Sequence, residues 1–195
     1  MARSLFDAGS PDGRLAWQLA AASVPLGFAG LFGSDIVETA LREPWVIAAA
    51  SAGFGVLLWI ADRSLRGTRD ERELSWRDVM LIGVGQALAL IPGTSRSGIT
   101  MTVALALGMT RQAAGRFSFL LSIPAIGMAS TWLVIQFAAD TAPIDWPPLL
   151  VATAVSGATA FAAIALFLRL IESIGMAAFA IYRILLAAVI VYVLI

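Results

Sequence analysis

Apolar residues fall in five long blocks, at 15–32, 45–61, 117–139, 148–168 and 176–195, with short polar stretches between them. A helix crosses a hydrocarbon layer of about 30 Å with roughly 20 residues, or fewer when flanking side chains reach the interface. The pattern therefore predicts five spanning helices. Between the second and third blocks lie two shorter apolar segments, 79–91 and 99–109, separated by PGTSRSG at 92–98. Neither half crosses comfortably alone. Together they form either one kinked crossing or a re-entrant helix-loop-helix pair over 79–109.

Arginine placement separates the two topologies, because arginine collects on the cytoplasmic side of short loops. The loop at 62–78 holds Arg63, Arg66, Arg69, Arg72 and Arg77, and its side is taken as cytoplasmic. A re-entrant pair then puts ten arginines inside and only Arg42 outside, with Arg96 and Arg183 in the membrane. A crossing segment gives seven against four. The re-entrant topology is favoured, and the chain reads as an all-α polytopic membrane protein forming one integral membrane domain over 1–195. The 62–78 loop balances its arginines with Asp62, Asp70, Glu71, Glu73 and Asp78 and is expected to be a solvated connection.

Composition agrees with the pattern. Of 195 residues, 59% are hydrophobic and 13% charged, and mean hydropathy is +0.87, too little polar surface to cover a soluble globule. All 13 basic side chains are arginine, against 13 acidic ones, so no basic nucleic-acid surface is present. Cysteine and histidine are absent, which excludes disulfides, Cys or His zinc sites and histidine-based catalysis. The apolar run after the polar N-terminus lacks a following small-residue cleavage site, so no cleaved signal peptide is expected.

The loop at 92–98 is where chemistry is expected. Irregular backbone at membrane depth survives only if protein buries it or it lines a wet cavity. Pro92 ends the first half-helix, and Gly93 and Gly98 permit unusual backbone angles. The next half-helix presents free N–H groups and the positive end of its dipole, a ready phosphate site. Thr94, Ser95, Ser97 and Thr100 add hydroxyls, and Arg96 adds a planar fork of donors that stays charged when buried. Arg183, in the last span, is either a snorkelling side chain, a second phosphate contact or a partner for a loop carbonyl. Ser118, Ser122 and Gln86 are read as interhelical hydrogen-bonding groups, and the small residues at 152–165, with Gly157, as a close-packing face, with a homodimer contact as the second reading.

LIPGTSRSGIT at 90–100, RFSFLLSIPA at 116–125 and IYRILLA at 181–187 are together similar to the bacterial undecaprenyl-diphosphate phosphatases, the bacitracin-resistance protein family. SVPLGFAGL at 23–31 extends the likeness over nearly the whole chain. The resemblance implies two re-entrant pairs related by an inverted repeat, with loop tips meeting near mid-membrane. It also implies hydrolysis of undecaprenyl diphosphate to the monophosphate lipid carrier, on the outward-facing side of the bacterial inner membrane, with a divalent Mg²⁺ or Ca²⁺ ion. By position, Arg96 would stabilise the diphosphate and its transition state. Ser95, Ser97 and Thr100 would bind phosphate oxygens or orient a nucleophile, with Gly93, Thr94, Gly98 and Arg183 completing the substrate site.

The sequence departs from that family in one respect. The glutamate-rich motif followed by a Pro, Ser, Ser, Thr, Gly, His run does not occur. None of the acidic residues falls in a predicted span, so no metal ligand is identified beside Arg96. The expectation is that the first re-entrant pair precedes Met1 and that the loop here is half of a site. A non-catalytic polyprenyl-phosphate binding protein or flippase is the alternative, because discontinuous helices serve transporters equally well.

Overall fold

The computed structural model describes residues 10–64, 67–139 and 146–194, among which there are seven α-helices. They are α1 (Pro11–Thr39), α2 (Pro44–Ser64), α3 (Trp76–Ala87), α4 (Arg96–Ala106), α5 (Arg111–Ala139), α6 (Trp146–Ile174) and α7 (Ala177–Leu194). The all-α reading holds. Five of the helices, α1, α2, α5, α6 and α7, are long and apolar enough to cross a membrane, matching the five blocks read from the sequence. Large apolar side chains face outward along them, with Phe161 78% exposed, and a bilayer is the solvent that such a surface requires.

The helices run past the apolar blocks at several ends. The helix α1 continues to Thr39, through most of the stretch expected to be a loop, and stops where the Ala40 and Leu41 N–H groups both bond the Ile36 carbonyl. The helix α2 reaches Ser64, and α5 begins at Arg111 rather than at the first apolar residue. Hydropathy marks where a helix leaves hydrocarbon, whereas the backbone ladder persists into water until a cap ends it. The 62–78 connection is correspondingly shorter, and its described residues are more regular than a solvated loop. Asp62 lies in α2 and is buried, Asp70 and Glu73 close a capping box around a 3₁₀ turn, and Ser75 and Asp78 close another at the start of α3. The 140–145 connection, with Asp140 and Asp145, lies outside the described residues, as do Arg3, Asp7 and Arg66.

The helices α3 and α4 form a hairpin. A 3₁₀ turn at Leu88–Leu90 ends the first arm, and the residues flanking the hairpin meet at its open end. Arg69 N–H donates to the Gly108 carbonyl at 3.0 Å, and Thr110 N–H returns a bond to the Arg69 carbonyl at 3.0 Å. The Arg69 guanidinium adds bonds to the Leu107 carbonyl and, at 2.7 Å, to Asp78. The chain thus leaves along α3 and comes back along α4 to the place it left.

The hairpin packs into a core of Val79, Ile82, Leu105, Phe117 and Leu121, shared with α1 and α5. Gly83 lies so close to Ala22 of α1 that a methyl group there would meet the Ala22 backbone oxygen at 2.5 Å. Gln86 donates to the same Ala22 carbonyl and Gln18 to the Leu74 carbonyl, so buried amides tie α1 to the hairpin and its lead-in. Such interhelical bonds contribute about 0.6 kcal/mol each within a membrane. On the hairpin's other side α2 packs along α4 and, most extensively, along α7.

Candidate functional site

The loop between the hairpin arms is held by its own backbone. Gly93 adopts φ +91°, a conformation that costs an L-residue about 1–2 kcal/mol, and its α-carbon lies against the Ile47 backbone of α2. Ser95 also has positive φ, at 64°, the only non-glycine residue described to do so. It caps α4, its Oγ accepting from Gly98 N–H at 3.3 Å. Strained backbone of this kind persists where the surroundings impose it and is common at ligand clamps. Arg96 and Ser97 occupy the first helical positions, whose N–H groups have no intrahelical acceptor.

Arg183 secures the loop from α7. Its Nη2 donates to the Gly93 carbonyl at 2.6 Å and its Nε to the Ser51 carbonyl at 3.3 Å, while the Ser51 hydroxyl also donates to the Gly93 carbonyl. The side chain is only 8% exposed, so it does not snorkel; of the three readings, partner to a loop carbonyl is the one the hydrogen bonds display. One donor remains. Arg183 Nη1 is buried without a hydrogen-bond partner among the described residues, and so is Arg96 Nη1. A methyl group on Gly98 would sit 2.7 Å from Arg183 Nη1, which places that unused donor at the first turn of α4.

Beside these groups a cleft of about 450 Å³ opens between α2, α4, α6 and α7. Its polar side is Gly93, Ser95, Ser97, Gly98 and Arg183, and its apolar side includes Leu58, Met101, Phe167 and Phe179. Phe167 packs against Phe179 at 4.6 Å and edge-on against Phe119 at 5.2 Å, which makes that wall a fixed aromatic surface. Of the residues picked out by sequence, five line the cleft. Arg96, half-buried at the start of α4, is not among the residues that line it. Thr94 is fully buried, its hydroxyl unpaired. Thr100 is buried as well, hydrogen-bonded at 2.7 Å to Ser118 of α5 and donating to the Arg96 carbonyl. Ser118 and Gln86 make the interhelical bonds expected of them, whereas Ser122 donates within its own helix to Phe119.

Sequence reasoning missed Ser51 and Gly55. They are a small pair at i, i+4 on α2, and Gly55 lets α7 approach until its Cβ position is 3.2 Å from Arg183 Cβ. The small-residue spacing was the available signal. A divalent cation wants carboxylate oxygens. The cleft wall contains none, no acidic cluster converges among the described residues, and Asp62 and Asp78 are paired with arginines. The residues present fit an anion and do not fit a divalent cation.

Residues 2–189 match the family model described as bacitracin resistance protein BacA. The chain is 48% identical over 181 residues to undecaprenyl-diphosphatase 2 of Stutzerimonas stutzeri strain A1501, covering 91% of this chain and 67% of that protein. It is 47% identical over 184 residues to the undecaprenyl-diphosphatase of Thioalkalivibrio sulfidiphilus, covering 94% and 69%, and 48% identical over 179 residues to that of Hahella chejuensis, covering 92% and 67%. It thus spans about two thirds of the length of these relatives. With a match along nearly its whole length and with relatives this similar, the chain belongs to the bacitracin resistance protein BacA family.

Proposed function

We propose that the protein acts on undecaprenyl diphosphate in the bacterial inner membrane, hydrolysing it to undecaprenyl phosphate and inorganic phosphate, with the 92–98 loop as its diphosphate cradle. The observation that carries this reading is the buried, unused Nη1 of Arg183 at the first turn of α4, with a second buried, unused guanidinium nitrogen on Arg96, the first residue of that helix. A buried polar group without a partner costs about 1–3 kcal/mol, more when charged, and a phosphate oxygen would remove that cost. The adjoining aromatic wall suits the prenyl chain that such a headgroup brings with it.

In the reaction, water attacks the terminal phosphorus and the bond from that phosphorus to the bridging oxygen breaks. Negative charge grows on the bridging oxygen as the lipid monophosphate leaves. Fixed donors near that oxygen need no reorganisation to stabilise it. The Ser95 hydroxyl already accepts from Gly98 N–H, which leaves its own hydrogen free to donate to a phosphate oxygen. The hairpin is read as re-entrant from the cytoplasmic side. Its ends are clipped together at Arg69 and Met109, and its tip meets α2 near the Pro44 end, so the cleft would open outward.

Pyrophosphate binding tests the cradle without requiring turnover. Arg96→Ala and Arg183→Ala are each expected to weaken pyrophosphate binding about tenfold or more, as for the loss of a charge-assisted bond. Binding within a few-fold of the parent in both variants would rule the cradle out.

A further inference from the structure

Asp62 is the one acidic side chain that the sequence placed in a solvated loop and the structure buries most deeply, at 4% exposure. Its Oδ1 accepts from Arg111 Nε, and its Oδ2 accepts both Arg111 Nη2 at 2.9 Å and the Met176 backbone N–H at 3.1 Å. We propose that Asp62 is a positioning residue: by capping the start of α7 from α2, it sets the axial register of those two helices and so delivers Arg183 to the loop. The inference rests on the reading of Arg183 as part of the diphosphate cradle.

The spacing supports the assignment. From Asp62 back to Gly55 on α2 is seven residues, and from Met176 on to Arg183 is also seven, each about 10.5 Å of helix. With Met176 held level with Asp62, the antiparallel helices bring the Arg183 backbone level with Gly55. There the contact between Arg183 Cβ and the Gly55 position is observed. The guanidinium then reaches one turn further, to the Ser51 and Gly93 carbonyls. A slip of one residue would move it by about 1.5 Å, more than half the length of the 2.6 Å bond it makes to Gly93.

The surroundings are built for this cap. Gly175, at φ +68°, makes the turn that aims the Met176 N–H at Asp62, and the Arg111 guanidinium lies against it. Arg111 pairs with both oxygens of the carboxylate, so the buried group does not stand without a partner of opposite charge. An unpaired helix start would leave Met176 N–H, itself fully buried, without an acceptor.

The absence of cysteine allows a direct register measurement. Spin labels at Gly53→Cys on α2 and Leu185→Cys on α7, both at open positions, report the distance between the helices by pulsed electron resonance. Asp62→Ala is expected to shift or split that distance by about 1.5 Å or more, and Asp62→Asn, whose amide oxygen still accepts from Met176, to restore it. On pyrophosphate affinity, Asp62→Ala is expected to cost several-fold in the parent and nothing further in Arg183→Ala. An unchanged distance in Asp62→Ala overturns the proposal, and so does a loss that adds to that of Arg183→Ala. If Arg183→Ala itself leaves affinity unchanged, Arg183 is no part of the cradle, and Asp62 with it loses its role there, whatever the distance shows.

Discussion

Gly98→Ala separates the stability of the loop from its chemistry. Gly98 is in the first turn of α4, with ordinary helical backbone, so alanine there should favour the helix by about 0.5–1 kcal/mol. The new methyl would stand 2.7 Å from Arg183 Nη1 and 3.3 Å from Ser95 Oγ. Carbon atoms and their neighbours settle near 3.5 Å or more, so the guanidinium must retreat by most of an ångström. Its bonds to the Gly93 and Ser51 carbonyls hold the other side, and retreat lengthens at least one of them. The loss of one bond to a charged donor, about 1.5–3 kcal/mol, is partly offset by the helix gain, so the melting temperature in detergent should fall only modestly. Pyrophosphate affinity should fall about tenfold or more if the displaced donor is, as proposed, the one offered to phosphate. Gly93→Ala gives the contrast. Its φ of +91° and its contact with the Ile47 backbone leave no easy retreat, so this variant should lose stability and binding together. Parent-like pyrophosphate affinity in a folded Gly98→Ala protein would refute the placement of Arg183 Nη1 at the anion site.

Topology can be tested by labelling cysteines introduced at Arg72 and at Glu172, both exposed. A re-entrant hairpin puts them on the same side of the membrane, and labelling from opposite sides would show that the α3–α4 segment crosses. Stability should also depend on pH through Glu71, whose carboxyl is raised above the ordinary glutamate range, first by burial and then by its bond with Asp70. A raised carboxyl favours the protonated folded state, so its penalty is absent below the unfolded value and complete above the folded one. Glu71→Gln should therefore melt higher than the parent at neutral pH and lose that advantage in acid. Equal melting at both pH values would contradict the burial argument.

The five crossing helices were legible because a bilayer demands long apolar blocks, and the hairpin because two half-length blocks flank a Pro, Gly and Ser run. The loop was read as the seat of an anion site for the same reason, since an arginine between two half-length apolar blocks has few other expected uses. What the sequence withheld depends on residues far apart in the chain. Asp62 looked like one charge among many in an arginine-rich stretch, yet its partners are Arg111 and Met176, which are distant in sequence and are brought near only by the fold. Thr100 looked like one more phosphate donor, but Ser118, eighteen positions on, takes its hydroxyl into the interior. Ser95 was read only as a phosphate-binding or nucleophile-orienting hydroxyl, and its place as the cap of α4 at positive φ was not read, because that angle is no preference of serine's own.

The central claim is that this chain's loop performs diphosphate chemistry, and phosphate release from undecaprenyl diphosphate by the purified protein, beside its Arg96→Ala variant, tests it most directly. The predicted result is that whatever release the parent gives falls by two or more orders of magnitude in Arg96→Ala, about 2.7 kcal/mol of lost transition-state stabilisation. Release that survives the substitution unchanged would contradict the account.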